Sequence, residues 1–214
     1  MTTRIVLARH GETLWNRSGR WQGHAPVPLS AQGRHQARLL AGRLLAVQGE
    51  VVAVHTSDLS RALETASIVA DRLDKPVVTD RRFREIDLGE WQGLTMNETR
   101  AWDPERLEAV EMDMYNVSRP GGERPSEVAS RVLAALDELA DAYRGRTVVV
   151  VAHGGPIRYS LFSLGLLALT APVVGNASCT VLAGDGPGEG PSTWRLELFN
   201  DVTHLDQPPV ELEF

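Results

Sequence analysis

The sequence predicts a three-layer α/β/α sandwich on a mostly parallel central sheet, and three observations point there. The run Val148–Val151 is β-branched at every position, the pattern of a strand covered on both faces, as parallel strands are. Strand-like and helical segments alternate along the chain, the order of a layered α/β sheet. Two apolar strands share an ending: Ile5–Ala8 runs into Arg9-His10-Gly11, and Val148–Ala152 into His153-Gly154-Gly155. Ligands of open α/β sheets gather at the carboxyl ends of the strands, so the shared ending also predicts where a site would lie.

The elements follow in order. Arg4–Ala8 reads as the first strand. Residues Asn16–Leu29 lack periodicity and hold two Gly, two Pro and Trp21, so they read as a functional loop. Ser30 can cap a helix running to about Val47, with Leu39, Leu40, Leu44 and Leu45 on its apolar side. Val51–Val54 is a second strand, Ser57 caps a helix from Asp58 to about Leu73, and Pro76–Val78 is a short third strand. Residues 94–123 carry a weak helical signal, end in Pro120-Gly121-Gly122, and read as an insertion or lid. A helix starting near Pro125-Ser126 carries Val128, Val132, Leu136, Leu139 and Tyr143. After the strand Thr147–Ala152, Pro156 suits the first position of a helix through Leu167. Ser178–Ala183 and Trp194–Phe199 are strand-like and flank a Gly-rich hairpin loop or disordered turn at 184–191. There is no repeat and no linker, so one domain over 1–214 is expected, with the lid at about 94–123.

Composition narrows the function. Of 214 residues 43% are apolar and 23% charged, an ordinary globular mixture. The net charge of −6 argues against a nucleic-acid or anionic-membrane partner, which would need excess Lys and Arg. The apolar run before His10 is too short for a signal peptide, and the longest apolar stretch, Leu161–Leu169, is about half a bilayer span. A soluble cytoplasmic protein is expected. Cys179 is the only cysteine, so no intrachain disulfide forms, and the six histidines include no i, i+4 pair for zinc. Neither metal nor cofactor is expected.

The chemistry lies in the matched strand ends. Either histidine alone reads as a strand terminus that satisfies its own polarity; two in matched contexts, one beside Arg9, do not. If the strands are parallel neighbours, His10 and His153 meet, and the glycines after them let backbone approach a ligand closely. Arg61, one turn into the helix after Ser57, can reach the same edge, although alone it also reads as a surface ion-pair residue. Two arginines and two histidines around one point suit a phosphate, whose oxygens match the guanidinium fork. Glu85 is a candidate general acid, with Asp87 and Glu90 as competitors. There is no phosphate-binding P-loop, dinucleotide fingerprint or nucleophile elbow.

Leu7-Ala8-Arg9-His10-Gly11-Glu12-Thr13 resembles the Arg-His-Gly signature of the histidine phosphatase superfamily, in its phosphoglycerate mutase-like branch. Asn16 with Gly19–Gly23 and Pro28-Leu29-Ser30 resembles the loop after the signature. Ser57–Ala66, Arg84–Gly93, Pro120–Glu123, His153-Gly154-Gly155 and Gly175–Ser178 resemble the later motifs. The resemblance implies that His10 is the nucleophile and becomes phosphohistidine. It implies that Arg9, Arg61 and a protonated His153 hold the phosphoryl oxygens, and that Glu85 protonates the leaving alcohol and then activates water. It places Asn16, Gln22, Gly23, Gly154 and Asn176 around the phosphate, and it allows a homodimer. Pro26 stands where relatives often carry an acid, and Arg124 where a small Ser is common, which bears on the pocket rim.

The expected partner is a small phosphomonoester, with a sugar phosphate or glucosyl-3-phosphoglycerate in view. Gly89–Thr95, Gly175–Ser178 and Trp194–Asn200 look similar to actinobacterial glucosyl-3-phosphoglycerate phosphatases. The alternatives are a cofactor-dependent phosphoglycerate mutase and a non-catalytic phospholigand-binding module. Mutases of the family resemble chains with a longer, more basic insertion, whereas residues 95–119 here set Arg100, Arg106 and Arg119 against six acids. Trp15, Trp21, Trp102, Met112, Met114 and Tyr115 form either an apolar or sugar-stacking rim or the packing of the lid onto the body.

Overall fold

The computed structural model describes residues 1–46, 51–185 and 192–205. Its strands are β1 (Thr3–Arg9), β2 (Val51–Thr56), β3 (Val77–Thr79), β4 (Thr147–Ala152), β5 (Cys179–Gly184) and β6 (Trp194–Asp201). Its helices are α1 (Leu14–Arg17), α2 (Ala31–Leu45), α3 (Ser60–Leu73), α4 (Met96–Trp102), α5 (Pro104–Met112), α6 (Pro125–Ala142) and α7 (Gly154–Ser163). The strands form one six-stranded sheet in the order β3-β2-β4-β1-β5-β6. β3, β2, β4 and β1 run parallel, and β5 is antiparallel to both β1 and β6. A mostly parallel sheet, as the sequence predicts, is what forms.

Side-chain alternation divides the core. On one face Val6, Ala8, Val149 and Val151 meet Leu40, Ala41 and Leu44 of α2 and Ala62, Ala66 and Val69 of α3. On the other, Ile5, Leu7, Val148 and Val150 meet Val128, Val132 and Leu136 of α6 and Ile157 and Leu161 of α7. A strand buried on both faces has no polar alternation to show, which is why β4 reads as continuous valine.

Several boundaries differ from expectation. Ser57 is not the cap of α3. Its amide continues the sheet by donating to the Val151 carbonyl (3.1 Å), and the Asp58 carboxylate is held by Arg84 (2.6 Å). The helix therefore begins at Ser60, and the Ser57 hydroxyl accepts from the Leu59 amide instead. α7 starts at Gly154, two residues before Pro156, and stops at Ser163, because Gly165 turns the chain with φ +68°. The loop after β1 contains the short α1, started by a reciprocal Thr13–Asn16 capping box. Residues 94–123 hold two short helices, α4 and α5. The third strand is shifted by one residue, to Val77–Thr79. Val47, and all of the 184–191 hairpin reading beyond Asp185, lie outside the described residues.

One backbone contact joins the α2 side to the end of β1. A Cβ on Gly11 would lie 2.3 Å from the Gly33 carbonyl oxygen, and one on Gly33 would lie 2.0 Å from that of Glu12. The start of α2, capped by Ser30 through a 3.0 Å bond from the Gly33 amide, thus sits directly on the turn after β1. Gly33→Ala overpacks this contact and is expected to lower stability by about 1–3 kcal/mol. Urea unfolding checks it: the midpoint falls with unchanged slope.

Candidate active site

The β1–β4 register pairs Arg9 with Ala152, which puts the next residues, His10 and His153, side by side. Their ring centroids are 5.1 Å apart, tilted by 59°. Both imidazoles are buried. His10 Nδ1 lies 2.7 Å from the Gly11 carbonyl oxygen, an acceptor only. Nδ1 therefore carries the proton, and Nε2 presents its lone pair. Arg61 Nε donates to that Nε2 at 3.3 Å, which agrees with the tautomer. Burial, and then the charges of Arg61 and Arg9, hold the His10 pKa well below the ordinary imidazole value.

Arg61, the second residue of α3, is fully buried. Its two other guanidinium nitrogens donate to the Ala25 (3.1 Å) and Gly23 (2.8 Å) carbonyls. Burial lowers its pKa to about 10, so it stays charged at neutral pH. Arg9 donates to the Val174 carbonyl, and its Nε is buried with no partner among the described residues. Neither ring nitrogen of His153 has a partner either. Burial and the nearby cations, Arg61 foremost, push the His153 pKa well down. In the ligand-free protein this direction favours the neutral ring, with the positive charge supplied by Arg9 and Arg61.

Glu85 reaches the same place from an irregular segment between two short 3-10 turns, Arg81–Phe83 and Gly89–Trp91. Its carboxylate accepts from the Ile86 amide (3.0 Å) and lies 3.5 Å from the Gly155 amide in the first turn of α7. A Cβ on Gly155 would be 2.3 Å from Glu85 Oε1, so a side chain there would displace the carboxylate. Of its competitors, Asp87 accepts from the Gly89 amide and Glu90 is exposed.

The remaining candidates are placed around this centre. Asn176 Nδ2 donates to the His10 carbonyl (3.1 Å) and lies 3.3 Å from Asn16 Oδ1. Asn16 Oδ1 accepts from the Thr13 amide, and the Thr13 hydroxyl lies 3.1 Å from both Asn16 Oδ1 and Gln22 Oε1, its single proton serving one of them. Gly23 contributes the carbonyl that holds Arg61, and Gly154 lies against the Arg9 guanidinium. Pro26 and Arg124 are exposed, the latter facing Glu127. Of the aromatic and methionine residues, Tyr115 packs on Phe162 (4.7 Å between centroids), whereas Trp102 and Met112 are exposed and do not fasten the lid.

Sequence reasoning missed the clamp on Glu85. Arg131 of α6 donates to the carbonyls of Arg82 and Arg84 (2.7 Å each) and Glu85 (3.0 Å), and it pairs with Glu123 (2.9 Å). Glu123 in turn accepts from the Asp87 amide (2.9 Å), and His24 Nε2 donates to the Glu85 carbonyl (2.8 Å). Glu123 was visible as part of the Pro-Gly-Gly-Glu motif. Arg131 carried no signal, being one arginine on the polar side of an amphipathic helix. Among the described residues, no group of His, Cys, Asp and Glu is placed to hold a metal, and no helix is long and apolar enough to cross a membrane.

Two predictions come from this geometry. Arg131→Ala removes one partner from three carbonyls and one carboxylate and is expected to cost about 1–3 kcal/mol, read by chemical denaturation. The pH dependence has a definite sign. Between their depressed folded values and about 6.5, unfolded His10 and His153 bind protons that the folded chain does not, so stability falls as pH drops below about 6.5. Each contributes a slope of up to about 1.4 kcal/mol per pH unit. His153→Gln should remove one proton's worth of that slope in denaturation curves measured from pH 7.5 to 5.

The comparisons with known proteins identify a family. The family model described as histidine phosphatase superfamily (branch 1) matches residues 5–201. The chain is 38% identical over 206 residues to phosphoglycerate mutase-like protein 4 of Arabidopsis thaliana, covering 95% of this chain and 87% of that one. It is 39% identical over 214 residues to a glucosyl-3-phosphoglycerate phosphatase of Mycolicibacterium vanbaalenii, covering 92% and 94% respectively. Among solved structures it is similar to a mycobacterial glucosyl-3-phosphoglycerate phosphatase in complex with VO3, with a TM-score of 0.81 and 35% identity, covering 92% of this chain and 98% of that one. A branch-1 match over nearly the whole chain, with relatives this similar, makes the protein a member of the histidine phosphatase superfamily.

Proposed function

We propose that the protein is a metal-independent phosphomonoesterase that works through a phosphohistidine on His10 and acts on a small phosphorylated metabolite. The observation that carries this is the buried His10 ring: its Nδ1 proton is tied to Gly11, and its Nε2 lone pair accepts from Arg61 Nε beside His153, with the Arg9 charge acting on the same ring. A neutral imidazole held in one tautomer is a competent nucleophile at neutral pH.

The steps balance as two displacements. His10 Nε2 attacks phosphorus, the N–P bond forms and the P–O bond to the alcohol breaks. Arg9 and Arg61 meet the charge on the phosphoryl oxygens, as does the first turn of α7 with its amides and helix dipole. A phosphoryl dianion brought against His153 offsets the arginine charges that, after burial, lower its pKa, so the ring can take a proton and donate it in a hydrogen bond. Glu85 delivers a proton to the leaving oxygen. It then removes one from a water that attacks phosphorus, breaking the N–P bond and releasing orthophosphate.

The mutase reading shares every step but the last acceptor, and the resemblance to a phosphoglycerate mutase-like protein keeps it as the second reading. The short, acid-rich lid at 94–123 favours water as acceptor. Glucosyl-3-phosphoglycerate, named for relatives of this chain, is the first substrate to try. One domain over the chain, a cytoplasmic location and a homodimer belong to the same reading; they are supported by the unbroken spacing of the motifs, by the single buried cysteine and by the family resemblance.

Phosphate release from a panel of phosphomonoesters in the presence of chelator is expected, with His10→Ala losing both turnover and the base-stable phosphohistidine label. An active His10→Ala protein would overturn the mechanism. Glu85→Gln is expected to slow alkyl phosphates by about 10²–10⁴-fold and an aryl phosphate much less, because only the poorer leaving group needs the proton. Equal loss on both would assign Glu85 another role.

A further inference from the structure

Arg9 and Arg61 are held unequally. Three acceptors fix the Arg61 guanidinium. Among the described residues, the Arg9 guanidinium has one hydrogen bond, to the Val174 carbonyl, and its buried Nε has no partner. The direction of the Arg9 side chain therefore depends on where that carbonyl stands. Val174 lies between α7 and β5, in a stretch that forms neither helix nor strand, so its position must be imposed from outside.

The far edge of the sheet imposes it. Asn200, near the end of β6, accepts from the Gly175 amide through Oδ1 (2.7 Å) and donates from Nδ2 to the Val173 carbonyl (3.2 Å). The two bonds bracket Val174. The Asn200 backbone amide donates to Thr180 Oγ1 (3.1 Å), a fully buried hydroxyl of β5. The β5–β6 register shifts between the pairs Val181–Leu198 and Cys179–Asp201, and Asn200 sits in that irregularity with φ +54°. A bulge of this kind re-aims a side chain, and asparagine tolerates the left-handed region better than most residues. A primary amide also carries a donor and an acceptor side by side, as a neighbouring N–H and C=O require.

Four residues on, the chain holds the other end of the same stretch. His204 Nε2 lies 3.0 Å from the Ala177 carbonyl oxygen, an acceptor only, so Nε2 carries the proton and donates it. Ala177 is fully buried at φ +55°, a conformation that persists in a non-glycine residue only when its surroundings enforce it. The Ala177 amide and the Asn176 side chain both donate to the His10 carbonyl (3.1 Å each), and the Ser178 carbonyl accepts from the Arg9 amide (3.2 Å). Residues 173–178 thus touch His10 and Arg9 on one side, and Asn200 and His204 on the other.

We propose that Asn200 and His204 are positioning residues for the phosphate site. They fix the 173–178 segment and, through its Val174 carbonyl, set the direction of the Arg9 guanidinium. The proposal rests on the phosphomonoesterase reading for the role of Arg9. Asn200→Asp keeps the acceptor for Gly175 but sets a carboxylate oxygen against the Val173 carbonyl, so it disturbs the segment at unchanged side-chain size. His204→Ala removes the donor to Ala177, and His204→Gln retains an N–H donor of similar reach.

The test reads the arginine and the phosphate separately. Nitrogen–proton NMR of the whole chain follows the Arg9 and Arg61 Nε–H signals, assigned by their loss in Arg9→Lys and Arg61→Lys. The dissociation constant of inorganic phosphate is titrated on the same proteins. Asn200→Asp is expected to move the Arg9 signal, leave the Arg61 signal in place and weaken phosphate binding about tenfold, the size of one lost hydrogen bond to a charged group. His204→Ala should act in the same direction, and His204→Gln should restore the parent values. A role in folding alone lowers the urea midpoint and moves neither signal of the folded protein. An unmoved Arg9 signal, a phosphate constant that does not follow it, or a parent that binds no phosphate overturns the proposal. If Asn200→Asp does not fold, the two His204 variants decide by the same criteria. Phosphate affinity that follows the Arg9 signal, with no hydrolysis of any ester, keeps the positioning role and removes the phosphatase reading. Ester hydrolysis with the Arg9 signal and phosphate affinity unmoved in every variant does the reverse.

Discussion

The burial of the Arg61 guanidinium against His10 is the arrangement on which the rest of the site depends. A buried cation needs its donors satisfied, and here carbonyls supply most of that: Gly23 and Ala25 take two nitrogens, and His10 Nε2 takes the third. The loop after β1 must therefore return under the start of α3. The positive φ of Gly23 and the Thr13–Asn16 capping box that starts the loop serve that path. Burial first, and then the same cation, lowers the pKa of both His10 and His153, so an arginine from a different element bears on both rings.

Around this centre the parts differ in stiffness. His10 and His153 are carried by adjacent parallel strands, whose register leaves little freedom. Glu85 is carried by a segment without regular structure, so its position is imposed from outside by Arg131, Glu123 and His24 acting on backbone groups at 82–87. The lid meets α7 through the Tyr115–Phe162 ring contact.

Much was legible in the chain because it was local. A run of four valines states its own burial, a serine before an amphipathic run states a helix start, and a histidine followed by glycine after each of two apolar strands states a common edge. Ser57 misled because both its amide and its neighbour's carboxylate were taken by distant partners, Val151 and Arg84. Pro156 misled because the first turn of a helix tolerates proline at more than one position, and the helix had already begun two residues earlier at Gly154, with His153 as its N-cap.

By itself, then, the sequence determined the layered α/β order, the strand ends that carry His10 and His153, and the residue types suited to a phosphate. Those properties are written in periodicity and side-chain chemistry, which neighbours along the chain decide. The tertiary structure alone decided the neutrality of the two imidazoles, the clamp of Arg131 on the Glu85 segment, and which lid arginine lacks an acid. The first two depend on burial and on partners tens of residues away, the third on burial and on which acid faces the side chain. A net-charge count weighs Arg100 and Arg119 alike; solvent and a facing Glu111 separate them.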